Sequence, residues 1–234
     1  MTGKNLTVSG LSAGYGGVPV VHGVDLSVAP GEVVALVGPN GGGKSTVMLT
    51  CSGLVKPLGG QIRLGDDVLN GKSPNELVAM GVVQVPEDRS LFYSLTVEEN
   101  LRVASSAPPR VDAYDLFPEL KRLRKRRSAL LSGGEQQMLV MARALYCNPS
   151  ILLVDEMSLG LAPLIVERLF DALRSLSAEF GIGVLVVEQH VHLALKHVER
   201  GYVMSGGRIT AEGSAADLER RWPEIEASYL GVSV

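Results

Sequence analysis

A chain of 234 residues, 46% apolar and 20% charged, is long enough to bury a core as one large domain or a domain with a subdomain. Its net charge of −3 gives no general reason to bind nucleic acid, and two cysteines are too few for a disulfide framework or a zinc site. The apolar runs at 33–37 and 182–187 are far short of a membrane span, and MTGKNLTVSG lacks the order of a signal peptide. The Asn5-Leu6-Thr7 sequon is then accidental, and Cys51 and Cys147 read as reduced small residues of a cytosolic protein.

In chain order, LTVSGL, VDLSV and EVVALV predict short strands, the last apolar enough to be buried on both faces of a parallel sheet. Gly38 ends it and STVMLTCSGL predicts a helix. Gly59-Gly60 and Asn70-Gly71 mark turns around a strand at QIRL. Thr96 and Glu99 have capping-box spacing, and residues 96–145 read as helical throughout, with a break at Pro108-Pro109. Strands return at ILLVD (151–155) and GVLVV (183–187), with the amphipathic IVERLFDALRSL between them. GYVM and GRIT form a last hairpin. This order predicts one α/β domain over 1–234 with an inserted helical subdomain at about 96–145.

The chemistry begins at GPNGGGKST, which lies after a strand and before a helix. In this phosphate-loop pattern, Gly38, Pro39, Asn40, Gly41, Gly42 and Gly43 let backbone N–H groups turn towards phosphate oxygens, and the helix start adds partial positive charge. Lys44 reaches the β- and γ-phosphates, the Ser45 hydroxyl ligates Mg²⁺, and Thr46 completes the motif. ILLVDE buries four apolar residues and presents Asp155 at a strand end for Mg²⁺, with Glu156 placed to polarise water. Alone, that Asp-Glu pair could merely cap a helix; beside the loop it reads as a site. LSGGEQQ is open to two readings. Ser132 and Glu135 form a plain capping box, yet Ser132, Gly133 and Gly134 also leave a hydroxyl and bare N–H groups at a helix start, a second phosphate half-site.

GPNGGGKST, LSGGEQQ and ILLVDE together resemble the ATPase subunits of ABC transporters over essentially the whole chain. VPEDRSLFYSLTVEENL (85–101), SLGLAP (158–163), VVEQ before ALKHVERGYV, and SYLG (228–231) resemble the ATP-binding subunits of branched-chain amino acid importers. The resemblance implies a P-loop NTPase core with a mixed or parallel sheet, an N-terminal antiparallel β-subdomain and the helical insert. It implies ATP and Mg²⁺, and a head-to-tail pair with a second ATPase subunit, identical or different. Integral membrane permease subunits would hold the chain at the cytoplasmic face of the membrane, with a solute-binding protein reached indirectly and no nucleic acid. Urea uptake or lipid export are alternative uses of a similar ATPase. No long coiled-coil insert and no second cassette favour a chromosome or translation role.

By the same resemblance, Tyr15 stacks on adenine. Family spacing puts Glu87, rather than Gln84 in the VVQV strand, at the position of the metal-sensing glutamine. Met157 replaces a common proline and Ala162 a common aspartate. Gln189 falls where most relatives have a γ-phosphate-contacting histidine, with His190 as a neighbour that could substitute. Glu188 reads as structural and His192 as an ordinary surface residue. The basic run KRLRKRR (121–127) has no interleaved aromatic and reads as a solvated face of the helical insert.

Overall fold

The computed structural model describes residues 3–104 and 108–230; residue 231 of the SYLG segment and Ser105, Ser106 and Ala107 of the helical insert lie outside the described residues. An antiparallel sheet opens the chain: β1 (Leu6–Tyr15) pairs β2 (Val18–Val28) across a Gly16-Gly17 turn. Both strands outrun the short segments expected from their alternation, because turn and bulge residues let pairing continue past the apolar stretch. β3 (Val33–Val37) then enters a second sheet, and the phosphate loop leads to α1 (Lys44–Cys51).

β4 (Pro57–Leu64) returns to pair β1, and β5 (Asp67–Val68) adds a short edge. α2 (Pro74–Met80) was not expected, although its signal is written in Ser73-Pro74-Asn75-Glu76. Ser73 and Glu76 close a capping box, with proline at the first helical position.

After β6 (Val82–Val85) come α3 (Val97–Ala104), α4 (Ala113–Leu116), α5 (Pro118–Leu123), a 3₁₀ turn at Ser128–Leu130 and α6 (Gly133–Tyr146). The stretch read as helical throughout is thus divided. Segments 93–98 and 124–129 instead pair their backbones: Val97 N–H donates to Arg126 O, Glu98 N–H to Arg124 O and Ser128 N–H to Leu95 O.

β7 (Ile151–Asp155), α7 (Pro163–Phe180), β8 (Gly183–Glu188), α8 (Val191–Leu195), β9 (Arg200–Ser205), β10 (Arg208–Ser214) and α9 (Ala215–Leu230) complete the chain. The second sheet has the order β10-β9-β3-β8-β7-β6, parallel except for the β9–β10 hairpin.

Alternation along the central strands explains the layers. Leu152, Val154, Val184 and Val186 face a core filled by α3–α7, while Leu153, Leu185 and Val187 face α1 and the antiparallel sheet. The cluster containing Phe117 and Leu120 is continuous with the sheet face, so the helical insert shares its core with the sheet. Among the described residues no helix is long and apolar enough to cross a membrane. Both cysteines are free, and burial pushes the Cys51 thiol up to about 12.

Candidate active site

Three strands end at one edge of the parallel sheet. The register pairs Val37 with Glu188 and Asp155 with Val187, which sets the carboxyl ends of β3, β7 and β8 side by side. Side chains just beyond those ends share one crevice, where open α/β sheets bind ligands.

The phosphate loop enters α1 with Gly43 as N-cap at φ 103°, and no side chain caps the helix. Its glycines answer to packing as well as to any ligand. A Cβ on Gly38 would lie 2.0 Å from the Met204 carbonyl oxygen, and one on Gly43 2.8 Å from Met204 Cε. Gly207 N–H donates to Gly42 O at 3.0 Å, so the β9–β10 hairpin underlies the loop. Lys44, only 4% exposed, curls over it, and its Nζ donates to the carbonyls of Gly38 at 2.8 Å and Pro39 at 3.0 Å. Burial lowers its pKa, opposed by the charges of Glu156, Asp155 and Glu188. Ser45 is exposed at the helix start. Tyr15, at the end of β1 and half exposed, has its hydroxyl 3.5 Å from Thr46 Oγ1.

Asp155 is 6% exposed, and its Oδ1 is buried without a hydrogen-bond partner among the described residues. Burial first, then Glu156 and Glu87, push its pKa up to about 6, against the pull of Lys44. Glu156 sits in the left-handed region at φ 42°, an uncommon conformation for a residue with a side chain. Its N–H donates to Val187 O at 2.9 Å, and its carboxylate accepts a hydrogen bond from Gln189 Nε2. His190 is exposed at the N-cap of α8 and makes no capping bond. Gln189, and not His190, is therefore brought onto Glu156.

Glu188 is buried and accepts from Ser158 N–H at 3.1 Å and Ser158 Oγ at 2.8 Å, which fixes the turn after β7. His192 is exposed as expected, but not idle. It meets the Trp222 ring edge-on at 6.2 Å and lies 3.9 Å from Glu219, both on α9.

Glu87 follows β6 and is exposed, close enough for its charge to act on Asp155. Gln84 stays within the strand, paired with Leu153. Sequence reasoning missed what holds Glu87's loop. Arg89 and Ser90 are both left-handed, at φ 62° and 42°. Arg89 donates to Gln136 Oε1 at 2.9 Å and Gln137 Oε1 at 3.3 Å, and Arg143 donates to Ser90 O at 2.6 Å. All three partners lie on α6, so that helix clamps the loop. Nothing in the residue types Arg-Ser announces a left-handed pair.

α6 itself begins at LSGGE. Ser132 N–H donates to Glu135 Oε2 at 2.7 Å, and Glu135 N–H to Ser132 Oγ at 3.3 Å, so the capping box is closed. Gly133 lies against the Arg89 guanidinium, and a Cβ on Gly134 would press on Ile165 of α7 at 2.9 Å.

The ABC transporter family profile matches residues 21–158. The chain belongs to the ABC transporter ATP-binding family. Members of this family hydrolyse ATP to power transport, dimerise and work with membrane permease subunits. The chain is 39% identical to the high-affinity branched-chain amino acid transport ATP-binding protein BraG of Pseudomonas aeruginosa, covering 97% of this chain and 99% of that one. It is 36% identical to the probable branched-chain amino acid transport ATP-binding protein LivF of Archaeoglobus fulgidus, over 89% and 91% of the two chains. The ADP conformation of an ATP-binding cassette from an ABC transporter superposes with a TM-score of 0.84 at 26% identity, covering 98% of each chain. This ABC ATPase thus has the α/β P-loop fold expected from its sequence.

Proposed function

We propose that this ABC ATPase is the motor of an importer for branched-chain amino acids or related amino acids and amides. The observation that carries the catalytic part is the grip of Gln189 on Glu156 beside Asp155 and Lys44. The cargo part rests on the likeness to BraG and LivF.

In this reading the loop N–H groups and the α1 start bind the β- and γ-phosphates of ATP, and Tyr15 stacks on the adenine. Lys44 exchanges the carbonyls of Gly38 and Pro39 for phosphate oxygens. Glu156 accepts a proton from water as the water oxygen bonds to the γ-phosphorus. The bond from that phosphorus to the β–γ bridging oxygen breaks, and ADP leaves with the electron pair. Gln189 orients the Glu156 carboxylate and cannot itself take the proton. His190, exposed one residue later, is the neighbour that could substitute for Gln189. Mg²⁺ fits the donor set, since the orphaned Asp155 oxygen lies near the Ser45 hydroxyl's helix and the Glu87 charge. Among the described residues no three His, Cys, Asp or Glu side chains cluster as metal ligands. When bound, the ion neutralises charge between the phosphates.

Ser132, Gly133 and Gly134 serve the nucleotide of a second subunit packed head-to-tail. The whole chain acts as one ATPase domain with 96–145 as its helical subdomain. A groove of about 400 Å³, lined in part by Leu54, Val78, Phe92, Val103 and Arg143, is the seat for a permease segment at the cytoplasmic face of the membrane.

Glu156→Gln should lower turnover by about 10²–10⁴-fold while leaving an ATP-stabilised dimer. Turnover near the wild-type rate would overturn Glu156 as base. Gln189→Ala should cost more turnover than His190→Ala; the reverse order would reassign the role. Purification from native membranes should bring down a permease and an amino-acid-binding protein, and recovery with a lipid-export permease would overturn the cargo.

A further inference from the structure

The ATPase reading leaves the basic run unused, and the structure gives it a definite setting. Lys121, Arg122, Arg124, Lys125, Arg126 and Arg127 are all exposed, and none forms an ion pair among the described residues. The nearby carboxylates are engaged elsewhere. Glu98 pairs with Arg102 and Glu119 with Arg168, and Glu99 accepts from Thr96 N–H while its charge also feels Arg127. The segment is held by its backbone, through the bonds from Val97, Glu98 and Ser128 that tie 124–128 to the entry of α3. Ala129 N–H also donates to Tyr93 O, which joins the run to the rim of the permease groove at Phe92. Phe92, Tyr93 and Leu130 are exposed beside it, at 46%, 47% and 61%.

Six exposed cations that form no ion pair among the described residues, beside two aromatic rings and a leucine, have the chemistry of a protein surface that rests on lipid headgroups. A chain of net charge −3 that concentrates six positive charges within seven residues has segregated its charge, and a diffuse anionic plane requires no fixed donor geometry to satisfy them.

We propose that residues 121–127, with Tyr93 and Leu130, rest on the anionic headgroups of the membrane that holds the permease. The patch orients the ATPase and adds a salt-sensitive hold to the protein contact. This rests on the reading of the chain as a permease-bound ATPase, yet it is testable on the purified chain alone.

The probe is co-sedimentation with phosphatidylcholine vesicles, with and without phosphatidylglycerol, at low and high salt. Binding should require phosphatidylglycerol and fall steeply as salt rises. Neutralising Lys121, Arg122, Lys125 and Arg126 to glutamine should weaken it by about fivefold per charge removed. Replacing Arg122, Arg124, Arg126 and Arg127 by lysine should leave it intact, because only charge is read. ATP affinity and the melting temperature should be unchanged in both variants. Four results would each overturn the proposal: equal binding to neutral vesicles, no binding, binding indifferent to the glutamine variant, or tighter binding to double-stranded DNA or RNA than to the anionic vesicles. Failure of this test with ATP turnover intact removes the lipid contact alone; loss of ATP binding in the parent chain removes the ATPase reading.

Discussion

Two helix starts in this chain carry the residues that the proposed function assigns to phosphate, and they are finished differently. α1 begins on Gly43 with no side-chain cap, so its first amides face the crevice unmatched by any capping group. α6 begins on Ser132 with a closed capping box, its serine and glutamate satisfying each other. A helix start left without a cap leaves its first amides open to water or to an anion; a capped one has its own partner. On the proposed reading the first half-site takes ATP within one chain, whereas the second exchanges its own bonds for those of a nucleotide brought by a partner. Binding is, on that reading, separated from dimer closure at the level of a single hydroxyl.

The largest test of this contrast is Lys44→Ala, which should weaken ATP binding and turnover by at least about 100-fold, read by nucleotide titration of the single chain. Undiminished affinity would place the phosphate elsewhere. Gly43→Ala comes next. Its left-handed backbone and the contact with Met204 should cost about 2 kcal/mol or more of stability, read by denaturant unfolding without nucleotide. Ser132→Ala should cost about 1 kcal/mol through the lost cap, with single-chain ATP affinity unchanged and the ATP needed for dimer formation raised. If affinity of the single chain falls as well, the two starts are not separate. Glu135→Ala is the smallest: a few tenths of a kcal/mol of stability, with the Ser132 hydroxyl released to a partner's nucleotide.

Much of this contrast was legible in the residues, and the limits are physical. GPNGGGKST and ILLVDE announce themselves because a crowded backbone demands glycine and a doubly buried strand demands unbroken apolar residues. The choice of Gln189 over His190 came from family spacing, and the hydrogen bond to Glu156 places the same residue at the strand end. The helical insert was blurred, because the 93–98 and 124–129 pairing is a backbone contact between segments of no strand-like pattern. α9 went unseen: its alternating charges and internal Pro223 mask a helix that buries Leu218 and Trp222 against the sheet. The Arg89–Ser90 strain is invisible in sequence for a related reason. It exists only because Gln136, Gln137 and Arg143 on α6 hold it in place.

Met204 gives the phosphate loop a dependence that the motif does not advertise. The family profile ends at residue 158, yet the backbone against which Gly38 and Gly42 are fitted lies on β9, more than forty residues later. The nucleotide's cradle is a keystone course laid on the last hairpin of the fold. A chain stopped after β8 would keep every residue of the motif and lose the bed on which it is set.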